Sequence, residues 1–188
     1  MRSVRLQLVA STPAVRLWNY LVSTHHYLHS SRIEGRQLKY VAYDGSRPIA
    51  CLGWGEAAWE LRARDRWIGW TRAQRRRARH RVVGNVRFLI LPWVRVPNLA
   101  SYLLALSVRT LQHDWQRAYA SAPVLLESFV DPERFHGTSY LAANWLRVGL
   151  TSGYAKKGAT HHNSQRPKAV FLYPLDPRCN DRLRGHLS

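Results

Sequence analysis

Residues 85–119, NVRFLILPWVRVPNLASYLLALSVRTLQHDWQRAY, contain the two elements that decide the fold. Residues 86–91 are the most apolar strand candidate of the chain, and Pro92 ends the strand because proline cannot donate to a strand ladder. Asn98 is in position to cap a helix, and apolar side chains then recur at helical spacing from about residue 99 to residue 119. A buried strand followed by a long amphipathic helix predicts an α/β domain.

The rest of the chain supplies the other elements of such a domain. Strand-like runs lie at residues 4–9, 38–43, 49–53, 124–130 and 169–173, and helical patterns lie at residues 14–24 and 138–145. The turn residues at 44–48 predict a hairpin. Residues 56–81 predict a short helix, a turn around Gly69 and a second helix from Thr71. We predict a single α/β domain over residues 1–176 with a mixed, mostly antiparallel sheet, a basic helical insertion at about residues 56–82, and a frayed tail at residues 177–188.

The composition excludes several classes of protein. The 188 residues include 46% hydrophobic and 21% charged residues, which excludes a disordered chain. Residues 1–10 lack the apolar stretch of a secretion signal, and no apolar run is long enough to span a membrane. Cys51 and Cys179 lie far apart, which excludes a disulfide scaffold and favours a reducing compartment. We therefore predict a cytoplasmic protein without a membrane partner.

The net charge predicts a polyanionic partner. The 29 Lys and Arg residues against 11 Asp and Glu residues give a net charge of +18, and 25 of the 29 are arginine. Guanidinium groups match phosphate oxygens and stack on bases. A GC-rich genome would explain the ratio of Arg to Lys but not the net charge. We expect DNA or another nucleic acid to be the partner.

The positive charge is concentrated in one segment, where tryptophans are interleaved with arginines. The predicted nucleic-acid-binding residues are Arg62, Arg64, Arg66, Trp67, Trp70, Arg72, Arg75, Arg76, Arg77, Arg79 and Arg81. For the two tryptophans, base stacking and a place in the core are equally good interpretations. A solvated helix face is the alternative for the arginines, but such faces normally mix charges of both signs.

Four residues near the end of the first predicted helix form the first candidate for catalysis. His25 and His29 are four residues apart, so a helix would place both on one face, as zinc ligands require. His26 and Tyr27 would alternatively form a pair for proton transfer. A structural or phosphate-contacting role is the third interpretation. We predict that His25, His26 and Tyr27 are catalytic and that no metal is bound.

The second candidate lies at the end of a strand. Glu127 and Asp131 flank the end of an apolar run, and a buried acid is costly unless it has a partner or a task. The alternative is an ion pair with Arg134 or Arg87. The predicted helix that follows adds two polar side chains to the candidate catalytic set, those of Tyr140 and Asn144.

The start of the long helix is a candidate for cofactor binding. Its unpaired amides favour a phosphate group, so we assign Asn98 and Ser101 to cofactor binding. The cofactor itself is unknown, with an acyl-CoA or a divalent metal as the two possibilities. His161 and His162 lie in a polar segment with several lysines. This setting predicts a surface role for them rather than a metal site. The chain has no Walker loop, dinucleotide fingerprint, Gly-x-Ser-x-Gly elbow or Cys-x-x-Cys pair.

The chain resembles the DruA family over roughly residues 14–176. The strings that carry the resemblance are Asp65…Ile68-Gly69-Trp70, Asn85…Arg87-Phe88-Leu89-Ile90-Leu91-Pro92-Trp93-Val94, Asn98-Leu99-Ala100-Ser101 and Glu127-Ser128-Phe129-Val130-Asp131…Arg134-Phe135…Gly137-Thr138…Tyr140…Ala143-Asn144-Trp145. This bacterial family occurs in Druantia anti-phage defence and beside or fused to transposases. The resemblance implies a role in those settings, with defence-system or transposase proteins as partners.

The order of elements is similar to that of the acetyltransferase-like GNAT fold. The phage Mom DNA-modification proteins are similar in arrangement and carry an early His-Tyr pair, as His26-Tyr27 is here. Two departures are the loop at residues 94–98, which is not Gly-rich, and His29, where the resemblance implies glycine. Three functions therefore stay open. They are an enzyme that modifies bases or cleaves a strand of DNA, a non-catalytic DNA-binding module, and a small-molecule acyltransferase, which would leave the charge unexplained.

Overall fold

The structure, a computed structural model, describes residues 4–157, 160–163 and 166–186, with side chains at 154–165 outside that description. Its strands are β1 (Val4–Leu8), β2 (Gln37–Asp44), β3 (Arg47–Glu56), β4 (Val82–Ile90), β5 (Leu125–Val130), β6 (Leu146–Leu150), β7 (Tyr154–Lys157), β8 (Thr160–Asn163) and β9 (Ala169–Pro174). Its helices are α1 (Thr12–His25), α2 (Arg62–Ile68), α3 (Arg72–Ala78), α4 (Leu99–Tyr119), α5 (Thr138–Ala142) and α6 (Cys179–Arg184), with a 3-10 turn at Arg79–Arg81.

Seven of these strands form one sheet in the order β1-β2-β3-β4-β5-β9-β6. Every neighbouring pair is antiparallel except β4 and β5, which are parallel. Parallel neighbours need a crossover connection, and α4 supplies it. The prediction of an α/β domain with a mixed, mostly antiparallel sheet is confirmed.

Helices cover both faces of the sheet. On one face, α4 packs Leu104, Leu111 and Trp115 into the largest core cluster. On the other face, α1 buries Trp18, whose indole Nε1 donates to the carbonyl oxygen of Leu52 at 3.1 Å. Helices α2, α3 and α6 cover the same second face beside α1, over β5 and β9. The basic insertion is therefore packed on the sheet through one side of its helices.

Local sequence signals placed most of the boundaries. Asp44 pairs with Arg47, so the predicted hairpin has a two-residue turn in which Gly45 adopts a φ of +60°. Thr71 caps α3 by accepting from the Gln74 amide, which confirms the predicted start of the second insertion helix. Gly69 ends α2 in the left-handed region, as a glycine after a helix commonly does.

The predicted cap of the long helix is wrong in its detail. Asn98 precedes α4 as expected, but its side chain makes no capping hydrogen bond. A side-chain N-cap requires an extended backbone at the capping residue, whereas Asn98 has a φ of +59°.

The predicted frayed tail is wrong from residue 179. Helix α6 buries Leu183 completely and leaves Cys179 2% exposed, against the cluster that contains Ile68 of α2. Cys179 and Leu183 are four residues apart, and two apolar side chains at that spacing do not by themselves predict a helix. The C-terminal helix is therefore part of the core.

The sequence patterns did not reveal the strands between residues 146 and 163. Strand β6 joins the sheet by pairing with β9, and β7 pairs with β8. His161 and His162 lie on β8, but their side chains are outside the described part, so their surface role stays a prediction. Among the described residues, no helix has the length and apolar character needed to cross a bilayer.

Candidate active site

A cleft opens where β4 and β5 separate. The two strands pair only over residues 82–85 of β4 and 125–128 of β5. Beyond that point β4 continues along β3, and β5 continues along β9. The sheet is therefore open between the two strand ends, and a cavity of about 550 Å³ occupies the gap.

A bulge in β4 accompanies the separation. Gly53 of β3 pairs with Arg87 and Trp54 pairs with Asn85, so Val86 is the extra residue on β4. A bulge bends its strand and increases its twist, and bulges are common beside active sites. The bulge immediately follows Asn85, the last residue that pairs with β5, and Val86 itself lines the cavity.

Five of the seven predicted catalytic residues line this cavity: His25, His26, Tyr27, Asp131 and Tyr140. The C-terminal end of α1 forms one side of the cleft, and the segment between β5 and α5 forms the other. The structure thus brings together two candidate groups that are more than 100 residues apart in the chain.

A buried network of polar side chains forms the floor of the cleft. The Tyr140 hydroxyl donates to Asn85 Oδ1 at 2.8 Å and accepts from Ser128 Oγ at 2.9 Å. Asn85 Nδ2 donates to the carbonyl oxygen of Gly53 at 3.2 Å. Burial raises the pKa of the Tyr140 hydroxyl, and the bond from Ser128 opposes this effect. The tyrosine therefore stays protonated at neutral pH and is held in one orientation.

His26 is held neutral beside the cleft. Burial lowers its pKa to about 4, and the positive charge of Arg87 acts in the same direction. The Leu28 amide donates to His26 Nδ1 at 3.2 Å, so the neutral ring carries its proton on Nε2. His26 therefore offers the cleft a hydrogen-bond donor that does not depend on pH near neutrality.

The rings of His26 and Tyr27 are stacked rather than joined by a hydrogen bond. Their centroids lie 4.6 Å apart with planes inclined by 29°. Phe135 lies 5.8 Å from the Tyr27 ring, and the Arg134 guanidinium lies 5.4 Å from it. Stacked rings cannot pass a proton directly between them, so this part of the prediction is corrected. The two residues instead form one side of an aromatic cluster at the cleft.

Asp131 supplies a carboxylate at the end of β5. Its Oδ1 accepts from the Glu133 amide at 3.1 Å, and its Oδ2 lies 3.5 Å from Arg134 Nε. The proposed ion pair with Arg134 is therefore present, and Asp131 also lines the cavity. Burial raises the pKa of the Tyr27 hydroxyl, and the charge of Asp131 raises it further. The rim combines a carboxylate acceptor with several donors.

His25 and His29 do not share a helix face. Helix α1 ends at His25, and His29 lies beyond it with a φ of +46°. His29 Nδ1 lies 3.2 Å from the Ser23 carbonyl oxygen, whereas His25 makes an edge-to-face contact with Trp93. Within the described residues no cluster of three or more His, Cys, Asp or Glu side chains is arranged to hold a metal ion.

Two of the predicted catalytic residues lie outside the cleft. Glu127 accepts from the Ala58 amide at 2.7 Å and from Arg64 Nη1 at 2.8 Å. Side chains alternate along a strand, so Glu127 points to the opposite face of the sheet from Ser128. Asn144 is exposed, follows the end of α5, and is not among the cleft residues. Glu127 therefore forms an ion pair, but its partner is Arg64 rather than Arg134 or Arg87.

Two of the predicted nucleic-acid-binding arginines are structural. Arg64 is fully buried between Asp65 and Glu127, and Arg75 Nη1 lies 2.8 Å from Asp65 Oδ2. Burial raises the pKa of Asp65, but Arg64 and Arg75 lower it more, so the pKa lies below its usual value. A buried carboxylate needs such partners, and these two guanidiniums are therefore not free to bind a phosphate backbone.

The core interpretation of the two tryptophans is confirmed. Trp70 is 8% exposed and lies 5.4 Å from the Arg64 guanidinium, while Trp67 packs partly buried on the same cluster. Trp59, in contrast, is 60% exposed, and the Arg79 guanidinium lies 4.8 Å above its ring. Trp59 is therefore the tryptophan of this segment that a nucleic acid can reach.

The remaining arginines of the insertion face outward. The exposed members are Arg62, Arg66, Arg72, Arg76 and Arg77, and the partly buried ones are Arg79 and Arg81. In the described part of the chain, none of the five exposed guanidiniums lies within ion-pair distance of a carboxylate. Arg62 and Arg66 share a face of α2, and Arg72 and Arg76 share a face of α3, because each pair is four residues apart. Nucleic-acid binding by these residues stays a prediction.

The two predicted cofactor residues lie at the start of α4 beside the cleft. Ser101 Oγ donates to the Asn98 carbonyl oxygen at 3.0 Å. Their neighbour Ala100 is one of the residues that line the cleft. The assignment of Asn98 and Ser101 to a cofactor stays a prediction.

The prediction missed Asn85 and Ser128, which form the cleft floor with Tyr140. Each is a polar residue inside an otherwise apolar strand, which is the signal that had singled out Glu127. Applied to every strand, the same signal would have found both. The prediction also omitted Arg134, Phe135 and His136 from the catalytic set, although all three line the cavity.

Solved structures of GNAT acetyltransferases share this fold. An aminoglycoside acetyltransferase in complex with coenzyme A and kanamycin superposes with a TM-score of 0.58 at 15% identity, covering 97% of this chain and 99% of that chain. The ribosomal-protein-S18-alanine N-acetyltransferase from Escherichia coli gives a TM-score of 0.58 at 9% identity, covering 92% and 94%. A chimera of spermidine N-acetyltransferase from Vibrio cholerae gives 0.56 at 12% identity, covering 92% and 95%. These likenesses show a GNAT-like fold.

These solved structures of the same fold are acetyltransferases, and the diphosphate of an acyl-CoA would lie at the loop before α4. Pro92 and Pro97 have no amide hydrogen, and the amides of Val94 and Leu99 donate to carbonyl oxygens within the loop. Asn98 occupies a left-handed position that suits glycine. This loop has no glycine and offers fewer free amides than a Gly-rich diphosphate loop, so it does not fit the cofactor in that way.

Comparison with known sequences identifies the family. No curated protein matches the chain. The family model of the Druantia protein DruA matches residues 1–183, which is nearly the whole chain. Together with the strings shared from Asp65 to Trp145, this match shows that the chain belongs to the DruA family.

Proposed function

We propose that this DruA-family protein is an enzyme that modifies DNA at a base held in the cleft between β4 and β5. The observation that carries the proposal is a polar-floored cleft of about 550 Å³ in a chain with a net charge of +18. The family name supports phage defence or mobile-element biology as the setting, with defence-system or transposase proteins as partners.

The charge supports a polyanionic substrate over the acceptors of the structural neighbours. Two of those neighbours are named for aminoglycosides and spermidine, which are polycations. A protein with a charge of +18 repels polycations and attracts phosphate polymers over distances of about one Debye length, ~8 Å at physiological salt. The same fold therefore suits a different class of substrate here.

The side chains of the cleft match the edge of a base. A base presents both donors and acceptors, and the cleft offers His26 Nε2–H and the Arg134 guanidinium as donors and Asp131 as an acceptor. Tyr27 and Phe135 offer aromatic surfaces on which a base can stack. A cavity of about 550 Å³ also lies within the range of small-molecule sites.

The floor of the cleft would orient the reacting group. Tyr140 stays protonated and shares hydrogen bonds with Asn85 and Ser128, so it presents a fixed dipole that needs no rearrangement during a reaction. Asp131 is the carboxylate of the cleft and takes the role of general base in the proposal.

The test is incubation of the protein with single-stranded and double-stranded DNA, followed by mass analysis of the nucleosides and of strand length. Parallel reactions contain acetyl-CoA, a divalent metal, or neither. We expect a mass addition to one nucleoside, and we expect Asp131→Asn and Tyr140→Phe to abolish or strongly reduce it. Strand cleavage would identify a nuclease instead.

Tyr20→Phe is the matched control, because Tyr20 is 64% exposed on α1 and loses the same atom. Tyr140→Phe leaves Asn85 and Ser128 with an unmade bond, so its melting temperature is measured beside its activity. Unmodified DNA in every reaction, together with tight DNA binding, would favour the non-catalytic DNA-binding module and contradict the proposal.

A small-molecule acyltransferase is the second candidate, and the fold favours it. Its signature in the same experiment is hydrolysis or transfer of the acetyl group of acetyl-CoA without any change in DNA. The loop before α4 and the net charge both argue against it.

A further inference from the structure

A second cavity lies at the opposite end of β4 from the cleft. It has a volume of about 420 Å³ and is lined by the end of α3, the 3-10 turn and the end of α6. The charged and polar side chains on its walls are those of Arg77, His80, Arg81 and Arg182. No carboxylate lines it among the described residues. The cavity is therefore cationic.

The positive charge in this cavity is only partly neutralised. Arg182 Nε lies 2.7 Å from Asp176 Oδ2, but its N–H is not aligned for a hydrogen bond. Burial lowers the pKa of Arg81, and the nearby charge of Arg182 lowers it further. Two guanidiniums that repel each other across a cavity with one nearby carboxylate favour a bound anion.

We propose that this cavity binds a phosphate group of the nucleic acid, with Arg77, Arg81 and Arg182 as its donors. Guanidinium forks match the oxygens of a phosphate and bind them through two parallel hydrogen bonds. The inference deepens the proposed function, because it places one backbone contact of the substrate, but it needs no chemistry in the cleft.

The position of the cavity suits a strand that also reaches the cleft. Arg81 immediately precedes β4, and Asn85 in the cleft floor is four residues further along. At ~3.3 Å per residue the two lie about 13 Å apart along the strand. Residues 82–85 are buried, so a nucleic acid that contacts both sites would pass over the surface and span a longer path than this.

Stabilisation of helix ends accounts for part of this cluster. Arginines in a last turn offset the partial negative charge of the helix terminus, and Arg77 in α3, Arg81 in the 3-10 turn and Arg182 in α6 all have that position. The effect acts within one turn of each helix and needs only the cation of that helix. It does not require the three cations to meet at one cavity.

The test compares Arg77→Gln/Arg81→Gln with a control variant, Arg47→Gln/Arg109→Gln, which removes the same charge from exposed sites on the β2–β3 hairpin and on α4. The first probe is inorganic phosphate, and its binding is measured from the NMR shifts of the arginine Nε–H groups. The second probe is a fluorescein-labelled single-stranded DNA dodecamer, whose affinity is measured from low to high salt. Melting temperatures establish that both variants fold.

We expect phosphate to shift the Nε–H signals of Arg81 and Arg182 in the wild type. We expect the cavity variant to bind the dodecamer about ten-fold more weakly than the control does. Its slope of log affinity against log salt should be shallower by ~0.7 for the lost phosphate. These results together assign the cavity to a phosphodiester of the nucleic acid.

Phosphate shifts with equal DNA affinities for both variants would overturn the assignment to the nucleic acid and identify a site for free phosphate. Ten-fold weaker DNA binding by the cavity variant of a protein that modifies no DNA would leave this inference standing and overturn the proposed function. No phosphate shifts together with equal slopes for both variants would overturn the inference.

Discussion

His26 illustrates how neighbouring residues set the state of one side chain. It is 4% exposed, and the Leu28 amide fixes its tautomer by donating to Nδ1. Histidine ordinarily changes its charge between pH 5 and pH 8, but the lowered pKa of about 4 removes this residue from that range. The ring can therefore act as a constant donor in the cleft.

The pKa of His26 predicts a dependence of stability on pH. An unfolded histidine takes up a proton as the pH falls through about 6.5, whereas the folded His26 does so only near 4. The unfolded chain therefore binds more protons in that window, and stability falls as the pH falls from about 6.5 towards 4. We expect urea unfolding at pH 7 and pH 5 to show a larger loss of stability for the wild type than for His26→Gln.

His113→Gln is the control for that measurement. The side chain of His113 is 76% exposed, so its replacement should leave the pH dependence as it is in the wild type. An equal loss of stability between pH 7 and pH 5 in the wild type and in His26→Gln would contradict the role assigned to His26.

At the scale of elements, α6 helps to hold the basic insertion in place. Gln74 Nε2 of α3 donates to the Arg184 carbonyl oxygen at 2.7 Å, and Arg184 Nε donates to the Ile68 carbonyl oxygen at 2.6 Å. Helix α6 is therefore bonded to both helices of the insertion. The buried Glu127–Arg64 pair joins α2 to β5 in the same way.

Removal of the buried anchor of α6 should destabilise the whole domain. Leu183 is fully buried, so we expect Leu183→Ala to lower the free energy of unfolding by about 2–5 kcal/mol in urea denaturation. Leu141→Ala is the matched control, since Leu141 is 51% exposed in α5 and should cost much less. Equal effects of the two substitutions would mean that α6 does not share the core.

At the scale of the whole molecule, the net charge is divided between two roles. Buried arginines such as Arg64 and Arg75 neutralise carboxylates beneath the insertion. Exposed arginines such as Arg62 and Arg76 leave the charge of +18 on the surface. The two roles alternate within the same short helices, because successive residues on a helix point in different directions.

This division predicts different effects for adjacent substitutions. Arg76→Gln should weaken DNA binding and reduce the salt slope by ~0.7–0.9 with little change in stability, because it removes one exposed cation that we propose contacts a phosphate. Arg75→Gln should instead lower stability by about 1.5–3 kcal/mol, because Asp65 loses one of its two guanidinium partners and keeps Arg64. Fluorescence anisotropy across a salt series and urea unfolding would measure both. A reduced salt slope in folded Arg75→Gln with an unchanged slope in Arg76→Gln would reverse the assignment.

The sequence by itself determined many of the elements, the charge and the family. Strand β4, the hairpin at Gly45, the start of α3 after Thr71 and the whole of α4 follow from apolar periodicity, prolines, glycines and caps, which act between residues close in the chain. The tertiary structure decided which side chains meet. Only the pairing of β5 with β4 and its contact with α2 show that Ser128 faces the cleft while Glu127 faces Arg64. Only the tertiary packing shows that residues 179–184 form a helix. The physical reason is that burial and partners depend on contacts between distant segments, which local patterns do not contain.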